Sequence, residues 1–284
     1  MKNVDDNLIR KAWALASSAL LFVVSLVALP STAQAQADVG DWEVNGMVYF
    51  FISDVDVTTI NPDSSGLGSI TIPAGDIAGF VDFAFMGRLS ASNGKVGFFS
   101  DMIYARLSES ASASRDFTVD IPFFEIPANL TADLDVELSS LIWTFGPSVR
   151  LMNRPDFELD AIAGVRANFS WQRLDYKFSA TVGPITDLNR LGSSKASSTK
   201  WDGIVGLSGR VYLGTDGRWS IPLYADFGTG DSKLTYQIAS GISYDIKWVR
   251  LDLLFRRLQF NSKAGVSPRD LAMIGPQIGV GFKF

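Results

Sequence analysis

The sequence predicts an all-β protein: a closed antiparallel transmembrane β-barrel of ten strands, with eight or twelve as the alternative counts. Three observations carry this. Runs of about ten to thirteen residues set an apolar side chain at every second position, the period of a strand with two different faces. Beyond the first 37 residues no stretch of 18 apolar residues occurs, so no helix is available to cross a membrane. The connections between runs alternate between tight turns and long polar loops, the layout of a barrel with one short-turned and one long-looped rim. Backbone groups in hydrocarbon must all be paired, and a closed barrel is the strand-built structure that pairs them.

The chain starts with Lys2, Arg10 and Lys11, an apolar run from Trp13 to Leu29, and the small-residue sequence Ser31-Thr32-Ala33-Gln34-Ala35-Gln36-Ala37. Basic, apolar and small-residue regions in that order predict a cleaved secretory signal over 1–37, with cleavage after Ala35 or Ala37. The barrel domain is then 38–284. It keeps 22 basic and 28 acidic residues, a net charge of −6. That balance argues against nucleic acid or an anionic lipid surface as the main partner. The chain has no cysteine and no histidine, which excludes thiolate and imidazole catalysis, disulfides and ordinary zinc sites.

The strands are read at 42–53, 79–90, 95–107, 133–150, 157–169, 201–213, 219–227, 233–244, 249–258 and 271–284. In the clearest of them, Phe157, Leu159, Ala161, Ala163, Val165, Ala167 and Phe169 share one face and Glu158, Asp160, Arg166 and Asn168 the other. Strand 95–107 is apolar on both faces, and only Asp101 suggests which points inward. After Phe169 the apolar positions switch to Leu174, Tyr176 and Phe178, which predicts a bulge near Ser170. Pro222 and Pro276 fall inside strands and predict two more bulges. Trp42, Trp219 and Trp248 each open a strand beside the short-turned rim, as an interfacial aromatic belt requires.

The polar faces define the candidate lumen: Asp82, Glu158, Asp160, Asp202, Asp226 and Asp252 facing Arg88, Arg166, Arg210, Arg250 and Arg256. So even a mix of signs reads first as an interior network of ion pairs, because charges removed from water need partners. The rival is a narrow water path, for which the small inner residues Thr235, Gln237, Ala239, Gly241 and Ser243 on one strand and Gly275, Gln277, Gly279 and Gly281 on another provide two thin walls.

The last seven residues, Ile278-Gly279-Val280-Gly281-Phe282-Lys283-Phe284, alternate and end on an aromatic. They resemble the closing strand of bacterial outer-membrane β-barrel proteins. The stretches Asp41-Trp42-Glu43-Val44, Phe85-Met86-Gly87 and Gly94 to Tyr104 resemble porin-like members of that class whose function is undefined. The resemblance implies an outer-membrane location, contact with lipopolysaccharide and outer-membrane lipids, and recognition of Phe282 and Phe284 by the barrel-assembly machinery. Barrel hydrolases and acyltransferases of that membrane resemble one another in needing a histidine, so no enzyme activity and no cofactor are expected.

Three loops complete the reading. Loop 54–78 contains the turn-rich Asn61 to Gly66 and then Ile70-Thr71-Ile72-Pro73, expected to be a short hairpin arm. Loop 108–132 carries the apolar run Ile121 to Pro127, expected at the lumen mouth or against the rim. Asp133, Asp135 and Glu137 beside it are more readily a solvated strand end than a metal site, since their spacing matches no calcium loop. The third long loop is 181–200. The functions left open are a passive envelope component or narrow conduit for small solutes, a surface-binding barrel with a plugged lumen, and, last, a lipid enzyme working through Asp82, Asp101 or Asp226.

Overall fold

A computed structural model describes the backbone of residues 42–60, 67–121, 124–182, 186–263 and 270–284; the signal segment 1–37 and the turn 61–66 lie outside these residues, and so do the side chains of 115–130. The elements are β1 (Glu43–Phe51), β2 (Asp54–Ile60), β3 (Leu67–Ile72), a short helix α1 (Ala74–Phe80), β4 (Val81–Ser92), β5 (Val96–Ile121), β6 (Phe124–Asn153), β7 (Phe157–Val182), β8 (Thr186–Leu213), β9 (Trp219–Gly230), β10 (Ser232–Ile246), β11 (Val249–Ser262) and β12 (Asp270–Lys283). Antiparallel ladders run β1-β4-β5-β6-β7-β8-β9-β10-β11-β12, and β12 returns to β1. Among the described residues this is a closed ten-stranded barrel, with β2 and β3 as two further strands outside the ring.

A register path that leaves β1 at Asn45 and steps from ladder to ladder comes back at Val57, a stagger of 12 residues. Stagger and strand number fix the tilt of a barrel, here about 40°. The exterior is apolar: Val48, Phe50, Phe98, Val205, Phe227, Ile238, Leu253, Phe255 and Ile278 all stand exposed. Trp42, Trp219 and Trp248 mark the short-turned rim, where Trp219 packs on Tyr244 and Trp248 stacks on Phe282. A second girdle, not read from the sequence, is formed by Phe83 with Tyr104, Trp143 with Phe145, and Phe169 with Trp171 and Trp201. Strand rise and tilt put the two girdles roughly 25–30 Å apart, the height of a lipid-facing band.

Tight turns follow from their residues. Gly94 takes a positive φ of 81°, and the Asn93 side chain accepts the N–H groups of Lys95 and Val96, so that turn is built by Asn-Gly chemistry. The long loops read at 108–132 and 181–200 are largely not loops. β5 and β6 stay paired from Val96↔Val149 to Ile121↔Phe124, and β7 and β8 from Phe157↔Val211 to Val182↔Thr186, so four strands stand well above the upper girdle. Their serine- and threonine-rich alternation hides strand character, because in water neither face has to be continuously apolar. Loop 54–78 holds the expected arm as the β2–β3 hairpin, then α1, whose first N–H, at Ala74, donates to Asp54.

The three bulges expected at Ser170, Pro222 and Pro276 are absent. β7 runs through Ser170 in unbroken register with β6 and β8. The switch of the apolar positions therefore reflects a change of surroundings: below the girdle the outward face meets lipid, above it the outward face meets water. Pro222 lies in a gap of the β9–β10 ladder opposite Gly241, and Pro276 opposite Ile52, whose N–H still donates to the Pro276 carbonyl. Each missing donor costs one ladder bond without shifting the register.

Candidate functional site

Alternation sends one side chain in two from every strand into the lumen, and the charged ones meet in a layer near mid-height. Arg256 on β11 is 2% exposed and reaches across the interior. Its guanidinium donates to the Tyr49 hydroxyl at 2.9 Å, to Gln237 at 2.8 Å and to Gln277 at 3.3 Å, and lies 3.4 Å from Asp101. Asp101 also accepts from Tyr49 at 2.5 Å and sits 3.2 Å from Arg88, whose guanidinium covers the Tyr224 ring. Arg166 on β7 is fully enclosed; it binds Asp226 at 2.5 Å, Thr235 at 2.9 Å and Thr144 at 3.1 Å. Tyr49, Arg88, Asp101, Thr144, Arg166, Asp226, Gln237, Arg256 and Gln277 come from nine different strands. A planar, five-donor guanidinium suits this role, since it can satisfy several acceptors in one plane without water.

A second charged layer lies toward the short-turned rim. Arg150 pairs with Asp160 and with Glu158 at 3.6 Å, Arg250 with Asp245 at 2.8 Å, and Arg210 donates to Ser220 at 2.8 Å. Asp252 is buried on the same level, and Asp202, at the upper edge of the central layer, accepts the Ser232 N–H at 2.7 Å. An open cavity of about 510 Å³ lies between the turns here, lined by Asn153, Arg154, Glu158 and Tyr212.

Of the eleven residues read as lumen-lining, ten point into the barrel; Asp82 does not belong with them. It is exposed at the upper rim, accepting from Ser108 at 2.8 Å and facing Arg106 at 3.7 Å. The two thin walls face arginines: Gln237 and Gln277 are the acceptors onto which Arg166 and Arg256 extend. Small residues on β10 and β12 leave room for arginines from elsewhere. Asp101, the one residue that suggests an inward face for strand 95–107, does point into the barrel; Tyr49, Thr144, Arg150 and Asp245 join it without a signal of their own, although strict alternation outward from Val48 and Phe50 identifies Tyr49.

Directly above the central layer the lumen is apolar. Tyr49, Phe51, Ile103, Ile142, Leu258 and Phe260 pack together, with Met86, Leu271 and Met273 against them and Met47 touching the cluster from the short-turned side of Tyr49. Higher still, the inward face of the β6–β7 extension carries Leu134, Val136, Leu174, Tyr176 and Phe178. Its outward face carries Asp133 and Asp135, accepting from Ser112 and Ser110, Glu137 paired with Arg106 at 3.6 Å, and Arg173 donating to Asp175 at 2.7 Å. Hydrogen bonding from Ser193, helped by Arg173, holds the Asp175 carboxyl below its ordinary range. The acidic residues read as a solvated strand end are thus engaged on an exposed face.

At the closing seam the Phe284 N–H donates to the Val44 carbonyl at 2.9 Å, and β12 pairs with β1 from Lys283↔Asn45 to Gln277↔Phe51. First and last strands complete the wall. Its fold is that of an outer-membrane β-barrel.

No family model and no curated protein matches the sequence. Solved structures do match in shape. The outer-membrane protease OmpT from Escherichia coli is 9% identical at a TM-score of 0.46, over 88% of this chain and 99% of that one. The transport unit of the autotransporter AIDA-I from Escherichia coli is 8% identical at 0.37, over 90% and 93%. The attachment invasion locus protein Ail of Yersinia pestis is 12% identical at 0.33, over 86% and 99%. These are likenesses of barrel architecture.

Proposed function

We propose that the protein is an outer-membrane barrel with a sealed lumen that acts by binding through its long-looped side, and not an aqueous conduit or an enzyme. The observation that carries this is the central layer, where Arg166, Arg256, Asp101 and Asp226 are each no more than 4% exposed while bonded across the interior. A water path needs polar groups that face water, and these face one another. Of the three carboxylates read for an enzyme, Asp101 and Asp226 are bonded to buried arginines, which argues against acid-base work there, and Asp82 stands on the exposed upper rim facing Arg106. The binding surface is the β5–β8 extension, which stands above the girdle with an apolar inner face and a charged outer one. What supports lipopolysaccharide as the partner is that the outer face carries Arg106, Arg173, Lys177 and Lys195, the kind of cation its phosphates take, and the terminal Phe282 and Phe284 fit recognition by the assembly machinery. Planar-bilayer recording of the refolded protein tests the sealed lumen: no conductance steps are expected, and regular steps in potassium chloride would refute it.

A further inference from the structure

We propose that the barrel wall contains a lateral port, between the upper end of β1 and β4 and below the β2–β3 hairpin, through which an unbranched apolar chain passes between the apolar chamber and the outer leaflet; this rests on the sealed lumen, which leaves such a chain no route downward. β1 and β4 are bonded only from Glu43↔Ser92 to Val48↔Gly87. Above that point β4 continues to Val81 bonded to β5 alone, while β1 and then β2 continue along β12. The next residue on β1, Tyr49, belongs to the central layer, so the two strands separate at about mid-membrane; from Val55 upward the edge of β2 is bonded to β3, which leads through α1 into β4 and closes the gap from above.

Unpaired strand edges are excluded from hydrocarbon unless something covers them. Here a side chain partly does so: the Met86 sulfur accepts the N–H of Phe51 at 3.1 Å, filling the place of a strand neighbour. Met86 and Met273 line the chamber behind the gap, and methionine is the side chain most able to repack around a passing guest. Outside, Phe50, Ile52, Phe83 and Phe85 flank it at 64, 47, 50 and 40% exposure, all apolar. Above it lies α1, which starts on Asp54 of β2, so the gap opens sideways toward acyl chains. Apolar walls on both sides and lipid depth outside fix the chemistry of the occupant as a hydrocarbon chain. Any polar end it carries stays at the upper mouth, near Asp82 and Arg106.

The test uses the refolded protein in phosphatidylcholine vesicles and a palmitate carrying a mid-chain diazirine, with adducts mapped by mass spectrometry. Adducts on Met86, Met273 or Phe260 that fall at least tenfold under excess palmitate are expected. Adducts confined to the outward Phe50, Ile52, Phe83 and Phe85, or interior ones indifferent to palmitate, overturn the port. Met86→Lys should reduce interior adducts tenfold and leave outward ones unchanged. If that variant loses its heat-modifiable gel migration, Ala84→Arg places the charge one inward position higher. Undiminished interior labelling in a folded variant counts against the proposal. Conductance steps sink the sealed lumen, whereas absent interior adducts in a non-conducting barrel sink the port alone.

Discussion

Arg256 shows how one residue organises the interior. Its charge is enclosed, and it is tolerated because Asp101, Tyr49, Gln237 and Gln277 converge on it from four strands. Removing the cation while keeping Asp101 strands a carboxylate, so Arg256→Met is expected to destabilise the barrel by about 3–5 kcal/mol in urea titrations in lipid. The double variant Arg256→Met, Asp101→Leu should recover much of the loss. Equal loss in the single and double variants would mean that the pair is not coupled. Tyr49→Phe removes one donor to Asp101 and should cost about 1–3 kcal/mol. Arg256 was legible from alternation as an inward charge. Asp101 was legible only as a lone inward hint, because strand 95–107 is apolar on both faces: Phe98 looks to lipid, while Ile103 looks into an apolar chamber that periodicity alone does not reveal.

The long strands are each subject to two solvents. On β7 the odd positions are apolar up to Phe169 and Trp171, then charged at Arg173, Asp175 and Lys177; the even positions do the reverse. Pattern reading takes such an inversion for a bulge, since it assumes that one face meets one environment throughout. The ladder carries it without a kink. Close backbone approach has its own requirement at Gly164, where a Cβ would lie 2.2 Å from the Phe145 carbonyl oxygen. Gly164→Ala is expected to cost about 1–3 kcal/mol by forcing β6 and β7 apart, measured by the same urea titration. Because the extension is built by pairing outside the membrane, replacing 110–135 with Asn-Gly should leave heat-modifiable migration and β-rich circular dichroism intact. Binding of lipopolysaccharide or of a partner should be lost. A trimmed barrel that fails to fold would show that the extension is part of the structural core.

For the whole molecule, strand number, closure and the apolar exterior were readable because lipid imposes a strict period on one face of every strand. Whether the lumen is open was not, because sealing depends on which strands lie opposite one another, a matter of stagger that no local pattern encodes. Nor did the sequence disclose that β1 leaves β4 halfway up; the apolar positions move from Phe50 and Ile52 to Val55 and Val57, so that 54–78 reads as a loop although Asp54 to Thr58 continue along β12. A whole-molecule prediction follows from the girdles. With the short turns on the periplasmic side, protease added to intact cells should cut within the extension and spare the turns at 153–156 and 214–218. Cleavage at those turns would invert the orientation.

The short β1–β4 ladder also has a mechanical meaning. It comprises six residue pairs, whereas β5 and β6 share a ladder along the full 26 residues of β5. A ring under tension parts at its weakest joint, so pulling on the chain in a force experiment should first unzip β1 from β4. The cylinder would then unroll into a sheet at lower load than any other hairpin requires.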